Sequence, residues 1–160
     1  MKSLRLAMIF VAFGFSVAAQ STVSFGGLDR DSSQPIEIVS DQLEVDQNTG
    51  NALFTGNVVA TQGDITLTGN SVQVYYTQGD GSRIDEVHAT GNVTLVTPTE
   101  AAEAQTAVYD VDAGSIVMTD DVLVTQGQSA IAGSRLTVDL ETGQGRMEGR
   151  VRSVIQTDTQ

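Results

Sequence analysis

FTGNVVATQGDITLTGNSVQVYY, from Phe54 to Tyr76, carries the triplet Thr-Gly-Asn twice, at Thr55–Asn57 and Thr68–Asn70. A third copy stands at Thr90–Asn92. Around each copy, β-branched and apolar residues alternate with polar ones, which is the period of a half-buried strand. Glycine and asparagine tolerate left-handed backbone geometry. The triplet therefore marks a place where a strand bulges or bends at a corner.

Working outward, the triplet belongs to a repeat. One element begins at Ser40, Gly69, Ala104 and Gly133, with spacings of 29, 35 and 29 residues. A second begins at Thr55, Thr90, Thr119 and Glu148, reading TGNV, TGNV, TDDV and EGRV. The second element precedes the next first element by 14 residues each time, and the longer interval reflects extra residues around DGSRID. Stacked repeats of this kind bury their apolar faces against their neighbours. The pattern predicts four 29-residue units from Pro35 to Gln156, each with two arms bent once near the middle. That gives about sixteen short antiparallel strands in an elongated, open-ended β-jelly roll of two facing sheets. Glu100–Ala107 (EAAEAQTA) has helix-forming composition in a strand register, so an edge strand or brief irregular turn is expected there.

The N-terminus has the features of a leader. Lys2 and Arg5 precede the apolar run Leu6–Val17, which is too short to span a bilayer, and small residues follow at Val17-Ala18-Ala19. The expected organisation is a secretory signal peptide over residues 1–19, cleaved after Ala19, and a flexible segment over 20–33. A jelly roll over 34–156 and a tail over 157–160 complete it. Such a leader implies export from the cytosol. Loss of Lys2 and Arg5 takes the net charge from −12 to −14 and leaves six Arg and no Lys. So acidic a surface repels nucleic acid and anionic lipid faces. A lipid partner must then be held by apolar contact.

QPIEIVSDQLEVD and the following GNALFTGNVVATQGDITLTGNSVQVYY carry a resemblance. The entering strand Pro35–Asp41 and, one unit later, Phe54–Gly63 resemble the lipopolysaccharide transport protein A (LptA, or OstA) family. The likeness is specific over Gln34–Tyr76 and continues by repeat register to about Arg152. It implies a twisted open β-jelly roll that carries lipopolysaccharide between the inner and outer membranes. It also implies partners with related domains in both membranes. This chain departs from such carriers in having no Lys after the leader, so no phosphate-clamping role is carried over.

Enzymatic readings find little support. His88 is the sole histidine, Ser24, Ser32, Ser33 and Ser40 lack a nucleophile-elbow setting, and the many carboxylates fall on polar strand phases or in turns. Asp110-Val-Asp112-Ala-Gly114 lacks the rest of a calcium loop and reads as a β-turn. No metal or cofactor is expected. A structural or adhesive β-repeat protein with a filled core is the alternative to a lipid carrier.

The residues expected to line the interior and hold acyl chains are Ile36, Ile38, Leu43, Val45, Phe54, Val58, Ile65, Leu67, Val72, Val74, Val93, Leu95, Tyr109, Ile116, Met118, Val122, Val124, Leu136 and Val138. The terminal strands Ile36–Val39 and Arg150–Gln156, with Ile36, Ile38, Val151 and Val154, are expected to pair with partner domains or further copies, head to tail.

Overall fold

The computed structural model describes residues 21–24, by their backbone, and residues 34–77 and 83–156. The leader, most of the 20–33 segment, the tip of the inserted loop and the 157–160 tail lie outside the described residues. Eleven strands and no helix occur among the described residues. They are β1 (Ser21–Ser24), β2 (Glu37–Val39), β3 (Gln42–Val45), β4 (Ala52–Gln62), β5 (Ile65–Tyr76), β6 (Ile84–Val96), β7 (Glu100–Asp110), β8 (Ser115–Gln126), β9 (Ser129–Asp139), β10 (Gln144–Glu148) and β11 (Arg152–Val154).

All pairings are antiparallel, and from β4 to β9 each strand pairs with its neighbours in the chain. β2 and β3 both pair with β4, and β10 and β11 both pair with β9. The strands thus form eight arms, β2–β3, the six strands β4 to β9, and β10–β11. Each arm crosses a line of corners. On one side β3, the adjoining halves of β4 to β9, and β10 make the first wall. On the other side β2, the remaining halves and β11 make the second. No backbone pairing joins the walls away from the corners among the described residues.

The count of sixteen strands is corrected by this geometry. In six arms the ladder resumes directly beyond the corner, so the strand continues through it as a register shift. These shifts fall between Thr55 and Val58, Thr68 and Ser71, Thr90 and Val93, Glu103 and Thr106, and Thr119 and Val122. Only the two end arms are cut into separate strands.

The corners are built from two consecutive left-handed residues: Gly56–Asn57 (φ +79° and +48°), Gly91–Asn92, Asp120–Asp121 and Gly149–Arg150. The doublets sit on alternate arms, and the first three each oppose one residue of the next arm, for example Asn70 opposite Gly56–Asn57. This is a bulge, and a bulge sharpens the local bend and twist. The other arm of each pair needs no such backbone, and Gly69 in the second Thr-Gly-Asn triplet lacks a positive φ. Polar side chains lock the corners. Asn57 Nδ2 donates to Asp41 Oδ2 (2.8 Å), and the Asp41 amide donates to the Gly56 carbonyl (2.9 Å).

Glu100–Ala107 is neither an edge strand nor a turn. It lies in β7, between β6 and β8. Its alanines fill the inward phase, with Ala102, Ala104 and Ala107 all buried. Residues 21–24, expected to be flexible, instead form β1 on the outer edge of β10. Turns are closed by short-range bonds. The Asn48 amide on Asp46 Oδ1 (2.8 Å) holds the Asp46 carboxyl below its ordinary pKa. The two-pronged hydrogen bond from Arg83 does the same for Asp112, across a pair that is more than half exposed. Both contributions are present above the ordinary carboxylate pKa and are lost as pH falls through the lowered one.

The corners generate a prediction. A Cβ on Gly56 would lie 2.5 Å from Asp41 Oδ2 and 2.9 Å from Asp41 Cβ, on a backbone at φ +79°. Gly56→Ala should therefore cost about 1–2 kcal/mol or more. Gly69→Ala meets nothing closer than 3.5 Å and should change stability by less than about 0.5 kcal/mol. Denaturant unfolding of the two variants checks the difference, and equal effects would contradict the corner assignment.

Candidate functional site

The pleat sends alternate residues of every arm into the space between the walls. Because the register is continuous, these residues form rows running the length of the roll. In the first wall one row passes from Leu43 through Phe54, Val72, Ala89, Ala107, Met118 and Leu136 to Met147. A second passes from Val45 through Ala52, Val74, Val87, Tyr109, Ile116 and Val138 to Gly145. Facing them in the second wall is the row Ile38, Ala60, Leu67, Leu95, Ala102, Val124, Ile131, Ser153. The interior is an apolar strip, and among the described residues the charges lie on the outer phase and in the turns, apart from Glu100 at the start of β7, which is buried on the phase of Ala102 and Ala104.

Burial along these rows is graded. Val58, Val72, Val74, Val93, Leu95, Ile116, Met118, Val122, Val124, Leu136 and Val138 are buried in one continuous core. Ile38, Phe54, Ile65, Leu67, Tyr109 and Val151 are half-buried against it. Three of the expected lining residues differ. Ile36 is exposed, and Leu43 and Val45 are 54% and 57% exposed although they share rows with Phe54 and Ala52. Their phase is inward, but they stand on the last strand of the first wall, with no further strand beyond them among the described residues. The apolar strip therefore opens to solvent at the β2–β3 end. At the other end Val154 and Ile155 are 67% and 70% exposed.

Sequence reasoning overlooked Ala52, Val87, Ala89, Ala102, Ala104, Ala107 and Met147, all buried in the same core. The alanines keep the period of two, but so small an apolar residue is a weak signal. Met147 stands at the lining phase of the last arm, opposite Leu136. At the rim, the second-wall turn buries Thr97 and Glu100, with Gln126 Nε2 donating to Glu100 Oε1 (2.7 Å).

The outer surface carries the titratable groups. His88 Nε2 lies 2.7 Å from Glu86 Oε2, and its ring meets the edge of Tyr75 at 4.8 Å. A shallow outer depression is lined by Glu86, Asp110, Arg135 and the Thr106–Thr119 hydroxyl pair (2.6 Å). Among the described residues no group of three or more His, Asp or Glu is placed to hold a metal ion.

A bent sheet whose apolar face is enclosed at the centre and open at an end is the arrangement against which known proteins can be compared. The profile of the family described as "LptA/(LptD N-terminal domain) LPS transport protein" matches residues 37–144, from β2 to the start of β10. The chain belongs to this family. An uncharacterised protein of Rhizobium meliloti is 33% identical over 153 residues, covering 89% of this chain and 81% of the relative. The lipopolysaccharide export system protein LptA of Haemophilus influenzae is 30% identical over 136 residues, covering 81% and 79%. The crystal structure of LptH from Pseudomonas aeruginosa, the LptA-homologous periplasmic component of a lipopolysaccharide transport device, superposes with a TM-score of 0.71 at 25% identity. It covers 79% of this chain and 99% of LptH. The jelly-roll expectation is met by this LptA-family fold.

The graded burial predicts a graded cost of truncation. Leu136→Ala, at a fully buried position, should lose about 2–5 kcal/mol. Leu43→Ala, at an exposed position in the same row, should lose less than about 1 kcal/mol. Thermal unfolding of the two variants tests whether the strip is packed at its centre and open at its end.

Proposed function

We propose that this LptA-family chain is a periplasmic carrier of lipopolysaccharide, without a catalytic step, whose apolar interior holds the lipid's acyl chains. The carrying observation is the continuous inward strip that emerges uncovered at Leu43 and Val45. A filled β-repeat protein would gain nothing from leaving two inward aliphatics half in water. The relatives named as lipopolysaccharide export proteins support the same class of cargo. Each methylene moved from water into such a strip contributes about 0.8 kcal/mol, so several acyl chains bind without charge pairing. The walls are joined only at the corners, so they can part along the opposite side to admit a chain.

The same reading includes the leader over residues 1–19, export to the periplasm, and partners with related jelly rolls in the inner- and outer-membrane parts of the transport system. The end strands are suited to such contacts. β2 and β11 present open edges among the described residues. The acidic Glu37, Asp41, Glu44 and Asp46 at one end face a chemistry complementary to Arg146, Arg150 and Arg152 at the other. Pairing of these unlike edges extends without closing, and strand addition carries the apolar strip from one domain into the next.

Photo-crosslinking residues at Ile36, Leu43 or Phe54 should capture lipopolysaccharide, and those at Glu44 or Thr137 should not. Equal capture at both sets would remove the interior-groove reading. Binding should weaken little between low and moderate salt. A steep loss would mean that lipid phosphates, rather than acyl chains, dominate the contact. Proline at Val154, or truncation after Gly149, should abolish capture of a partner domain while lipid binding is retained. Unchanged capture would contradict the edge assignment.

A further inference from the structure

The two walls are not equally open at the C-terminal end. β11 has no strand on its outer side among the described residues, whereas β10 carries β1 there. β1 runs antiparallel to β10, with Ser21 opposite Met147, Thr22 opposite Arg146, Val23 opposite Gly145 and Ser24 opposite Gln144.

An even number of arms makes the first and last arms run in opposite directions. A second copy shifted along the roll would therefore bring its β3 to β10 antiparallel, as β1 already lies. The rows of paired residues fix the register. Leu43 shares its row with Met147, and Val45 shares its row with Gly145. Between them, Glu44 shares a row with Arg146. Leu43-Glu44-Val45 of the copy would thus fall on the positions that Ser21-Thr22-Val23 hold in this chain. The two strands differ most at Arg146, where the copy brings a carboxylate and β1 brings a threonine. They differ again at Met147, where the copy brings Leu43 and β1 brings a serine.

We propose that β1 is an internal stand-in for β3 of a second copy, and that the copy docks on β10 only after β1 has left it. This rests on the end-to-end reading above. The exchange replaces one set of backbone hydrogen bonds with an equivalent set. The balance is then set by the Glu44–Arg146 cross-strand pair and by covering Leu43, which is half exposed in the free copy. Docking competes with an intrachain strand, so its apparent affinity falls by the fraction of chains that are uncapped. The cap keeps the first-wall edge from promiscuous strand addition.

The test compares the chain from Gln20 with a chain from Phe25 and with Val23→Pro, by sedimentation equilibrium over a range of concentrations. Both changes should strengthen end-to-end association about tenfold or more. At a concentration where all chains are monomeric, Val23→Pro should also speed amide exchange at Gln144–Glu148 and leave β6 to β8 unchanged. In the uncapped chain Arg146→Glu should weaken association, and adding Glu44→Arg should restore it. Association that is unchanged or weakened by loss of the cap would overturn the competition, as would failure of the charge swap to restore it. Absence of association in every variant would overturn the end-to-end reading and the competition with it, whereas altered exchange at β10 would still report the intrachain pairing.

Discussion

The structure depends on one backbone constraint, the pair of consecutive left-handed residues at alternate corners. A flat antiparallel sheet with one apolar face has nothing to bury that face against. Bending every arm at the same line folds the face onto itself, so one sheet supplies both halves of its own core. The bend requires an extra residue on one arm of each pair. Residues 56–57, 91–92, 120–121 and 149–150 provide it. Their small polar partners fit beneath: Asp41 beside Gly56, Asn70 beside Gly91 and Ser134 beside Gly149. Where aspartates replace the glycine and asparagine, at Asp120–Asp121, the backbone adopts the same geometry, as short polar side chains allow.

Much of this was legible in the sequence because period-two alternation survives into the fold. The lining positions from Val58 to Val138 could be named because alternation holds within each wall. Across the corner the phase is kept on the doublet arms, as from Phe54 to Val58, and inverted on the others, as from Leu67 to Val72 and from Ile131 to Leu136. The three identical Thr-Gly-Asn triplets show where legibility ended. Two of them are left-handed doublets, and the one at 68–70 is not. The triplet records compatibility with a corner, but which arm holds the extra residue is decided by pairing. Leu43 and Val45 were correctly phased, yet alternation carries no information about whether a further strand covers them. EAAEAQTA was misjudged for a related reason: alanine favours helices locally, while here Ala102, Ala104 and Ala107 are buried on the inward phase of β7. β1 escaped notice because four residues, Ser21–Ser24, give too short a pattern, and their partner strand is more than a hundred positions away.

An apolar strip and a strongly acidic exterior divide the work between them. Twenty carboxylates against eight Lys and Arg keep the outer surface hydrated and averse to anionic headgroups. Among the described residues the three rows hold no charged side chain, and Glu100 is buried beyond them at the rim. That division suits a cargo with long hydrocarbon tails.

The chain-neighbour pairing of β4 to β9 has a consequence for how the molecule is made. Each arm meets only the arm before it, so the sheet can grow by successive hairpin closures at short loop distances, a regime associated with rapid folding. β1 breaks this pattern, since Ser21 must find Met147 after almost the whole chain has been ordered. Its closure entropy exceeds that of any hairpin, and a strand of four residues returns little in exchange. On loop-closure entropy alone the N-terminal strand assembles last and detaches first. A scaffold without it carries one bare margin, along β10.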